Sequence, residues 1–327
     1  FAHIGAIQAL EDAGIKPIIG SEIYIAPRSL EEKEHGIDNK YYHAVLIAKN
    51  LTGYKNLLKI VSKGHIDGFY YKPRLDYEFL KDHAEGLIFL TACIGGILAK
   101  PILDGNPNLA EENLQKYSEL FKDNFYIEIQ RNGMHEQEVA NEALIKMAKD
   151  NNLPLVATCD SHYLKKEDAK IQEVLWCIRD GKTLDDPNRD KLETEEFFVK
   201  TPEEMKELFE DIPEAIENTV KIKDKVEDFD MRFDRVEPQY LDLPKGKDPG
   251  EYLKELSYEG CKEKYGKFDK ALKERIDYEL GVINDKGYNH YFLVMMDFVH
   301  FCRDNNIVVG MRGSGCGSVV AYCVGIT

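Results

Sequence analysis

The chain has no long hydrophobic run, no paired-cysteine motif and no recognisable leader segment. Without an apolar stretch of about 20 residues, the sequence predicts no membrane-spanning helix and no membrane partner. The seven cysteines are scattered without a C-x-x-C pair, which excludes a zinc ribbon, suits a reducing compartment and predicts no disulfides. The first residues, FAHIGAIQAL, lack the basic flank and the cleavage site of a signal peptide, so we expect a cytoplasmic protein.

The balance of residue types is that of a globular protein. Hydrophobic residues make up 43% of the chain and charged residues 31%, and 327 residues are enough for two domains with their own cores. A net charge of −16 argues against a protein that coats nucleic acid nonspecifically, because counterion release needs clustered Lys and Arg. It still allows a local nucleic-acid-binding site. The chain starts at Phe1 and stops at Thr327 within an apolar, helix-like run, so we expect a fragment.

Up to about residue 160, short apolar runs alternate with amphipathic segments. Five runs have the character of strands: KPIIGSEIYIA, HAVLIA, GLIFLTA, FYIEI and LPLVAT. Segments between them, such as 110–123 and 136–152, carry apolar residues at helical spacing. This alternation predicts an α/β fold with mostly parallel strands, arranged as an open sheet or a barrel.

After about residue 200 the pattern becomes helical. Thr201, Pro202 and Glu204 fit an N-cap, a first-turn proline and a capping-box glutamate. Further helices are predicted at 213–228, 249–264 and 268–286. We place a domain boundary near residue 218, which gives a first domain of residues 1–218 and a second of residues 219–327.

Two metal-competent side chains follow the run LPLVAT. Asp160 and His162 are two residues apart, and in an extended chain that spacing points both side chains the same way. Asp oxygen and neutral His nitrogen suit Zn, Mn or Fe, although a hydrogen-bonded surface pair would have the same pattern.

Other strand runs carry similar groups: Glu22, His43 and Cys93. Together they resemble what a metal centre at the mouth of an α/β barrel needs. His43 begins its run, whereas the barrel rule expects a ligand at the end, and Cys93 has the alternative of being a small core residue. Glu128, within FYIEI, can equally be an outward-facing strand residue and is not a predicted ligand.

The stretch GMRGSGCGS, residues 310–318, suggests an anion site. Glycines leave backbone N–H groups free to turn toward one ligand, Arg312 adds a positive charge, and a following helix adds the positive end of its dipole. The stretch matches neither a Walker motif nor a nucleophile elbow. The alternative is a tight turn between two elements.

The order of these motifs resembles one family over essentially the whole chain, the C family of bacterial replicative DNA polymerases, or DNA polymerase III alpha subunits. The stretches that carry the resemblance are GIKPIIGSEIYIAP, YYHAVLIAKNLTGYKNLLKIVS, GFYYKPRLD, GLIFLTACIGG, LPLVATCDSHYL, GKTLDDPNR, YFLVMMDFVHFCR and GMRGSGCGSVVAY. The resemblance implies a distorted β/α barrel, the polymerase-and-histidinol-phosphatase (PHP) domain. It also implies that a mainly helical start of a polymerase-β-like nucleotidyltransferase palm follows.

The resemblance also implies a metal centre in the PHP domain. Of nine ligand positions in the family, this chain matches the last five, and the other four would precede Phe1. In some members the centre holds Zn, Mn or Fe and supports 3′→5′ exonuclease proofreading, while in others the domain is structural. The five matching residues are Glu22, His43, Cys93, Asp160 and His162.

In the palm, the resemblance implies that Arg312, Gly313 and Ser314 lie beside the triphosphate of the incoming nucleotide and that Ser318 supports the following helix. Met311 stands where the family pattern has Pro-Gly. The Mg-binding aspartates of the palm would lie beyond Thr327, so the chain alone is not expected to polymerise DNA. The implied partners are primer–template DNA, deoxynucleoside triphosphates, the sliding clamp and other replisome subunits.

Two other readings remain open. A free-standing PHP phosphoesterase acting on a small phosphate monoester would explain the ligands but not the loop at 310–318. A non-catalytic PHP scaffold that stabilises the palm would need no metal.

Overall fold

The computed structural model describes residues 3–230 and 238–327. The chain forms two compact units, Phe1–Met231 and Arg232–Thr327. The boundary suggested near residue 218 falls inside a helix of the first unit, Pro213–Lys225. This helix lies on the sheet of that unit, where the buried Asn218 side chain donates to the carbonyl of Leu155 at 2.7 Å.

The described part of the chain contains thirteen α-helices. Their bounds are α1 His3–Asp12, α2 Leu51–Ile66, α3 Tyr77–Asp82, α4 Ala99–Leu103, α5 Pro107–Phe121, α6 His135–Asp150, α7 Ala169–Asp180, α8 Pro202–Leu208, α9 Pro213–Lys225, α10 Pro249–Tyr265, α11 Lys270–Asp285, α12 Asn289–Asp304 and α13 Val319–Cys323. None of them is both long and apolar enough to cross a bilayer.

The strands all belong to the first unit, within the residues described. They are β1 Gly20–Ile25, β2 Tyr42–Ala48, β3 Phe69–Tyr70, β4 Lys72–Leu75, β5 Leu87–Leu90, β6 Phe125–Gln130 and β7 Leu155–Thr158. They form a sheet in the order β3-β4-β1-β2-β5-β6-β7. The α/β class and the helical second part agree with the sequence prediction, and all five predicted strand runs form strands.

The strand directions differ from the prediction of a mostly parallel sheet. β5, β6 and β7 are parallel, as are β1 and β4, but β2 is antiparallel to both β1 and β5. A parallel return would need a crossover, usually a helix, and the described connection at residues 26–41 contains no helix. β2 therefore runs back along β1.

Apolar side chains between the sheet and helices α2, α4, α5 and α6 form the main core of the first unit. Leu46, Phe89 and Phe125 are fully buried in it. The rings of Phe89 and Phe125 stack with their centroids 5.7 Å apart. This rigid layer fixes strands β1, β2, β5 and β7, which carry the candidate ligands or directly precede them.

The second unit is helical in its described residues. Helices α10 to α13 surround a core that includes Leu253, Ile276, Leu293 and Val320. The apolar run at residues 307–309 forms no described strand, and Val308 is 98% exposed.

Candidate functional site

The reversed direction of β2 explains the position of His43. Tyr42, the first residue of β2, lies opposite Ile25, the last residue of β1. Val45 lies opposite Leu90, where β5 ends. The start of β2 therefore shares one edge of the sheet with the carboxyl ends of its neighbours, so His43 lies where a barrel ligand is expected.

Two predicted ligands, Glu22 and Cys93, contact the imidazole of a third, His43. Its Nδ1 lies 3.0 Å from Oε1 of Glu22 and 3.5 Å from Sγ of Cys93. Glu22 is opposite Val45 in the β1–β2 register, which puts Glu22 and His43 on the same face of the ladder. The structure thus brings together a carboxylate, an imidazole and a thiol from three separate parts of the sequence.

The charges of this cluster are coupled. Burial alone would lower the pKa of His43, but hydrogen bonds and charges of Cys93 and Glu22 outweigh it and raise the pKa to about 10. The hydrogen bond from His43 lowers the pKa of Glu22 below its ordinary value. A metal ion at His43 would have to displace the proton that these groups stabilise.

A tight turn after β5 holds Cys93 against His43. The N–H of Gly96 donates to the carbonyl of Cys93 at 2.7 Å, and the N–H of His43 donates to the carbonyl of Gly95 at 2.8 Å. A Cβ on Gly96 would lie 2.0 Å from the carbonyl oxygen of Thr91. Only glycine fits at this position.

Asp160 and His162 follow β7 at the same edge of the sheet. Asp160 has a φ of 46°, in the left-handed region, and Nδ1 of His162 lies 2.8 Å from the carbonyl oxygen of Asp160. If Nδ1 carries the proton, Nε2 keeps its lone pair, as in many metal-binding histidines. The ring is flanked edge-on by Trp176 and Phe197, with centroids 6.0 and 5.4 Å away.

Electrostatic coupling links Asp160 to the cluster at His43. Burial raises the pKa of Asp160 above its ordinary value; the positive charge of His162 opposes this rise, and the negative charge of Glu22 adds to it. Asp160 therefore interacts electrostatically with His162, Glu22 and His43.

Within residues 3–230 and 238–327, no group of three or more His, Cys, Asp or Glu side chains has the spacing of an assembled metal site. Instead, Glu22 and Cys93 contact His43 directly. The donor types nonetheless fit Zn, Mn or Fe, since two carboxylates, two imidazoles and a thiol are all ligands of these ions.

Sequence reasoning missed Glu128, which lies within β6 and is 4% exposed. Its carboxylate accepts hydrogen bonds from the N–H of Ala92 at 2.9 Å, from the amide of Gln130 at 3.0 Å and from the hydroxyl of Thr158. Burial raises the pKa of Glu128, and the bonds from Thr158 and Gln130 oppose the rise. The available signal was the polar Glu-x-Gln pair in a strand that is otherwise apolar.

The glycine-rich loop before α13 is largely open to solvent. Arg312, Gly313 and Ser314 are exposed, and Gly313 has a φ of 82°. Ser318 is the N-cap of α13, because its hydroxyl accepts from the N–H of Ala321 at 3.1 Å.

The start of α13 already has an anionic partner. The carboxylate of Glu279, on α11, accepts from the N–H of Val319 at 3.2 Å and from the N–H of Val320 at 3.0 Å. Glu279 therefore occupies the backbone N–H groups at the start of α13, which were expected to contribute to an anion site. A phosphate would have to bind Arg312 and the loop backbone instead.

Two domain families match the chain. Residues 1–132 match the PHP domain, and residues 251–327 match the bacterial DNA polymerase III alpha NTPase domain. The two matches identify a PHP domain followed by a DNA polymerase III alpha segment.

Curated relatives cover both parts. The DNA polymerase III subunit alpha of Borreliella burgdorferi is 44% identical over 100% of this chain and 29% of the relative. That of Treponema pallidum is 42% identical over 96% of this chain and 27% of the relative, and that of Thermus aquaticus is 36% identical over 99% and 32%. Over its whole length the chain is similar to bacterial DNA polymerase III alpha subunits, and it spans about three tenths of these relatives.

Proposed function

We propose that this chain is part of a cytoplasmic replicative DNA-directed DNA polymerase that transfers deoxynucleotides to a primer on a DNA template. The similarity of the entire chain to DNA polymerase III alpha subunits supports this proposal. In the full-length protein, Mg²⁺ would support polymerisation, and the sliding clamp and other replisome subunits would be partners.

We further propose that Arg312, Gly313 and Ser314 contact the triphosphate of the incoming nucleotide. Their exposure and the positive charge of Arg312 support this role. Ser318 supports the loop by capping α13.

For the PHP domain we propose a centre that binds Zn, Mn or Fe and supports 3′→5′ exonuclease activity. The convergence of Glu22 and Cys93 on His43 carries this proposal. Asp160 and His162 complete the donor set at the same edge. Bound metal ions would lower the pKa of a water molecule and neutralise charge on a phosphodiester.

The site residues have tasks of their own. The hydrogen bond to the Asp160 carbonyl orients the ring of His162, while Trp176 and Phe197 limit its movement. Glu22 holds the imidazole of His43, and the turn at Gly96 keeps Cys93 beside it.

The experiment compares full-length wild-type protein with Asp160→Asn and Asp190→Asn variants, each supplied with Zn²⁺, Mn²⁺ or Fe²⁺. Asp190 is an exposed carboxylate of the same unit, paired with Arg179, and serves as the matched control. We expect wild type and Asp190→Asn to bind metal and shorten a mismatched primer, and Asp160→Asn to lose both properties. If all three proteins leave the primer intact, the exonuclease role fails and the scaffold reading takes its place.

A further inference from the structure

The buried Glu128 is surrounded by hydrogen-bond donors. Ala92 contributes a backbone N–H, Gln130 an amide N–H and Thr158 a hydroxyl. A buried carboxylate is costly unless its oxygens are hydrogen-bonded, and here each oxygen has at least one donor. The cost of burying Glu128 suggests a specific task.

Two hydrogen bonds of Glu128 fix the chain where it leaves β5. The backbone N–H of Glu128 donates to the hydroxyl of Thr91 at 2.9 Å, while its carboxylate accepts from the N–H of Ala92. Ala92 has a φ of 62°, which non-glycine residues rarely adopt and which surrounding contacts must enforce. The next residue is Cys93.

A further hydrogen bond of Glu128 fixes the exit of β7. Thr158 is the last residue of β7 and donates its hydroxyl to Glu128. Nearby, the amide of Asn132 donates to the carbonyl of Cys159 at 3.2 Å. The next residue, Asp160, has the left-handed φ described above. The turns that carry Cys93 and Asp160 therefore both begin at residues that are hydrogen-bonded to β6 or to the residues just after it.

We propose that Glu128 is a positioning residue that sets the spacing between Cys93 and Asp160 by holding the ends of β5 and β7. This inference rests on the proposed metal centre. Glu128 contacts no reacting atom in this scheme and acts through Ala92 and Thr158.

The Glu128→Gln variant tests the acceptor requirement with little change of shape. Glutamine has one acceptor oxygen and one donor group, so its NH₂ must face one of the three donors. An NH₂ that faces the N–H of Ala92 leaves the exit of β5 without its acceptor, and one that faces Thr158 forces the hydrogen bond at the exit of β7 to reverse.

The matched control is Asn218→Ala. Asn218 is also buried and also anchors β7, but at its other end, through the carbonyl of Leu155. Its loss should lower stability without moving the turn that carries Asp160.

The experiment measures Zn²⁺ and Mn²⁺ affinity of the full-length proteins, together with thermal stability. We expect Glu128→Gln to weaken metal binding by about 10-fold or more, as loss of a supporting contact does at other metal sites. Asn218→Ala should keep wild-type affinity. Equal affinity in wild type and Glu128→Gln would overturn the inference while leaving the metal centre in place.

A second measurement decides the inference without metal. The rate at which Cys93 is alkylated, read from its peptide by mass spectrometry, reports the geometry of the turn, with Cys302 as internal reference. Glu128→Gln should change this rate, and Asn218→Ala should not. If wild type bound no metal, the proposed metal centre would be wrong. An unchanged alkylation rate of Cys93 in Glu128→Gln would independently contradict the positioning role.

Discussion

The hydroxyl of Ser318 donates a hydrogen bond to the carboxylate of Glu279, with 2.8 Å between the two oxygens. This contact joins helix α11 to the first turn of α13, directly behind the glycine-rich loop. Glu279 also receives a bond from Arg275 at 2.7 Å and from the N–H groups of Val319 and Val320. One carboxylate thus organises the base of the proposed phosphate loop.

Replacing Glu279 with glutamine should destabilise the second unit. The substitution replaces one acceptor oxygen of this buried side chain with a donor group. We expect this change to lower the free energy of unfolding by about 1–3 kcal/mol. Urea denaturation followed by circular dichroism measures the loss. Glu274→Gln on the same helix is the control, because its pair with Lys270 is exposed and 3.7 Å long; an equal loss in both variants would contradict the role of Glu279.

The same residue predicts a dependence of stability on pH. Burial would raise the pKa of Glu279, but hydrogen bonds from Val320, Ser318 and Arg275 outweigh it and lower the pKa below its ordinary value of 4.5. The stabilisation is therefore complete above pH 4.5 and is lost as the pH falls through the lowered value. Denaturation at several pH values should show less acid sensitivity in Glu279→Gln than in wild type.

Gly96→Ala should disturb the turn that carries Cys93. The new methyl group would overlap the carbonyl oxygen of Thr91, so we expect a loss of about 1–3 kcal/mol and weaker metal binding. Gly5→Ala is the control, because Gly5 lies in helix α1 and a methyl group added there would have no atom within 4 Å. That substitution should stabilise the protein slightly, and the two variants can be compared by thermal unfolding.

Arg312→Ala should leave the fold intact, because the side chain is exposed. In the full-length polymerase it should raise the KM for deoxynucleoside triphosphates by about 10-fold or more, from loss of a charge-assisted hydrogen bond. Arg303→Ala, which removes another exposed arginine of the same unit, should keep the wild-type KM. Equal values for the two variants would remove Arg312 from the triphosphate site.

Trp176 offers a direct reporter of the proposed metal centre, because it is the single tryptophan of the chain and its ring lies 6.0 Å from that of His162. Titrating Mn²⁺ into the chain should quench its fluorescence saturably. The His162→Gln variant should show no such change, whereas His135→Gln, at an exposed site on α6, should behave as wild type. A similar titration curve for all three would exclude His162 as a ligand.

Local patterns predicted most of the elements. The capping box of Thr201 and Glu204 is present at the start of α8, with both reciprocal contacts formed. All seven cysteines are free. The capping box depends on two residues three positions apart, which a sequence displays directly.

Long-range relationships were less accessible. Nothing in HAVLIA reveals that β2 runs against its neighbours, because strand direction is fixed by the connection and not by the strand itself. The buried state of Glu128 depends on donors from Ala92 and Thr158, which are about 30 residues or more away along the chain. Residues 307–309 are apolar but exposed, because burial needs a partner surface, which the described residues do not provide.

The pairing of β1 with β2 also has an evolutionary consequence. Side chains alternate between the two faces of a strand, so deleting one residue inside β2 would turn His43 away from Glu22. Insertions in the connection at residues 26–41 carry no such penalty, because they leave the register of the ladder unchanged. Related chains that keep this centre are expected to differ in length between these strands and not within them.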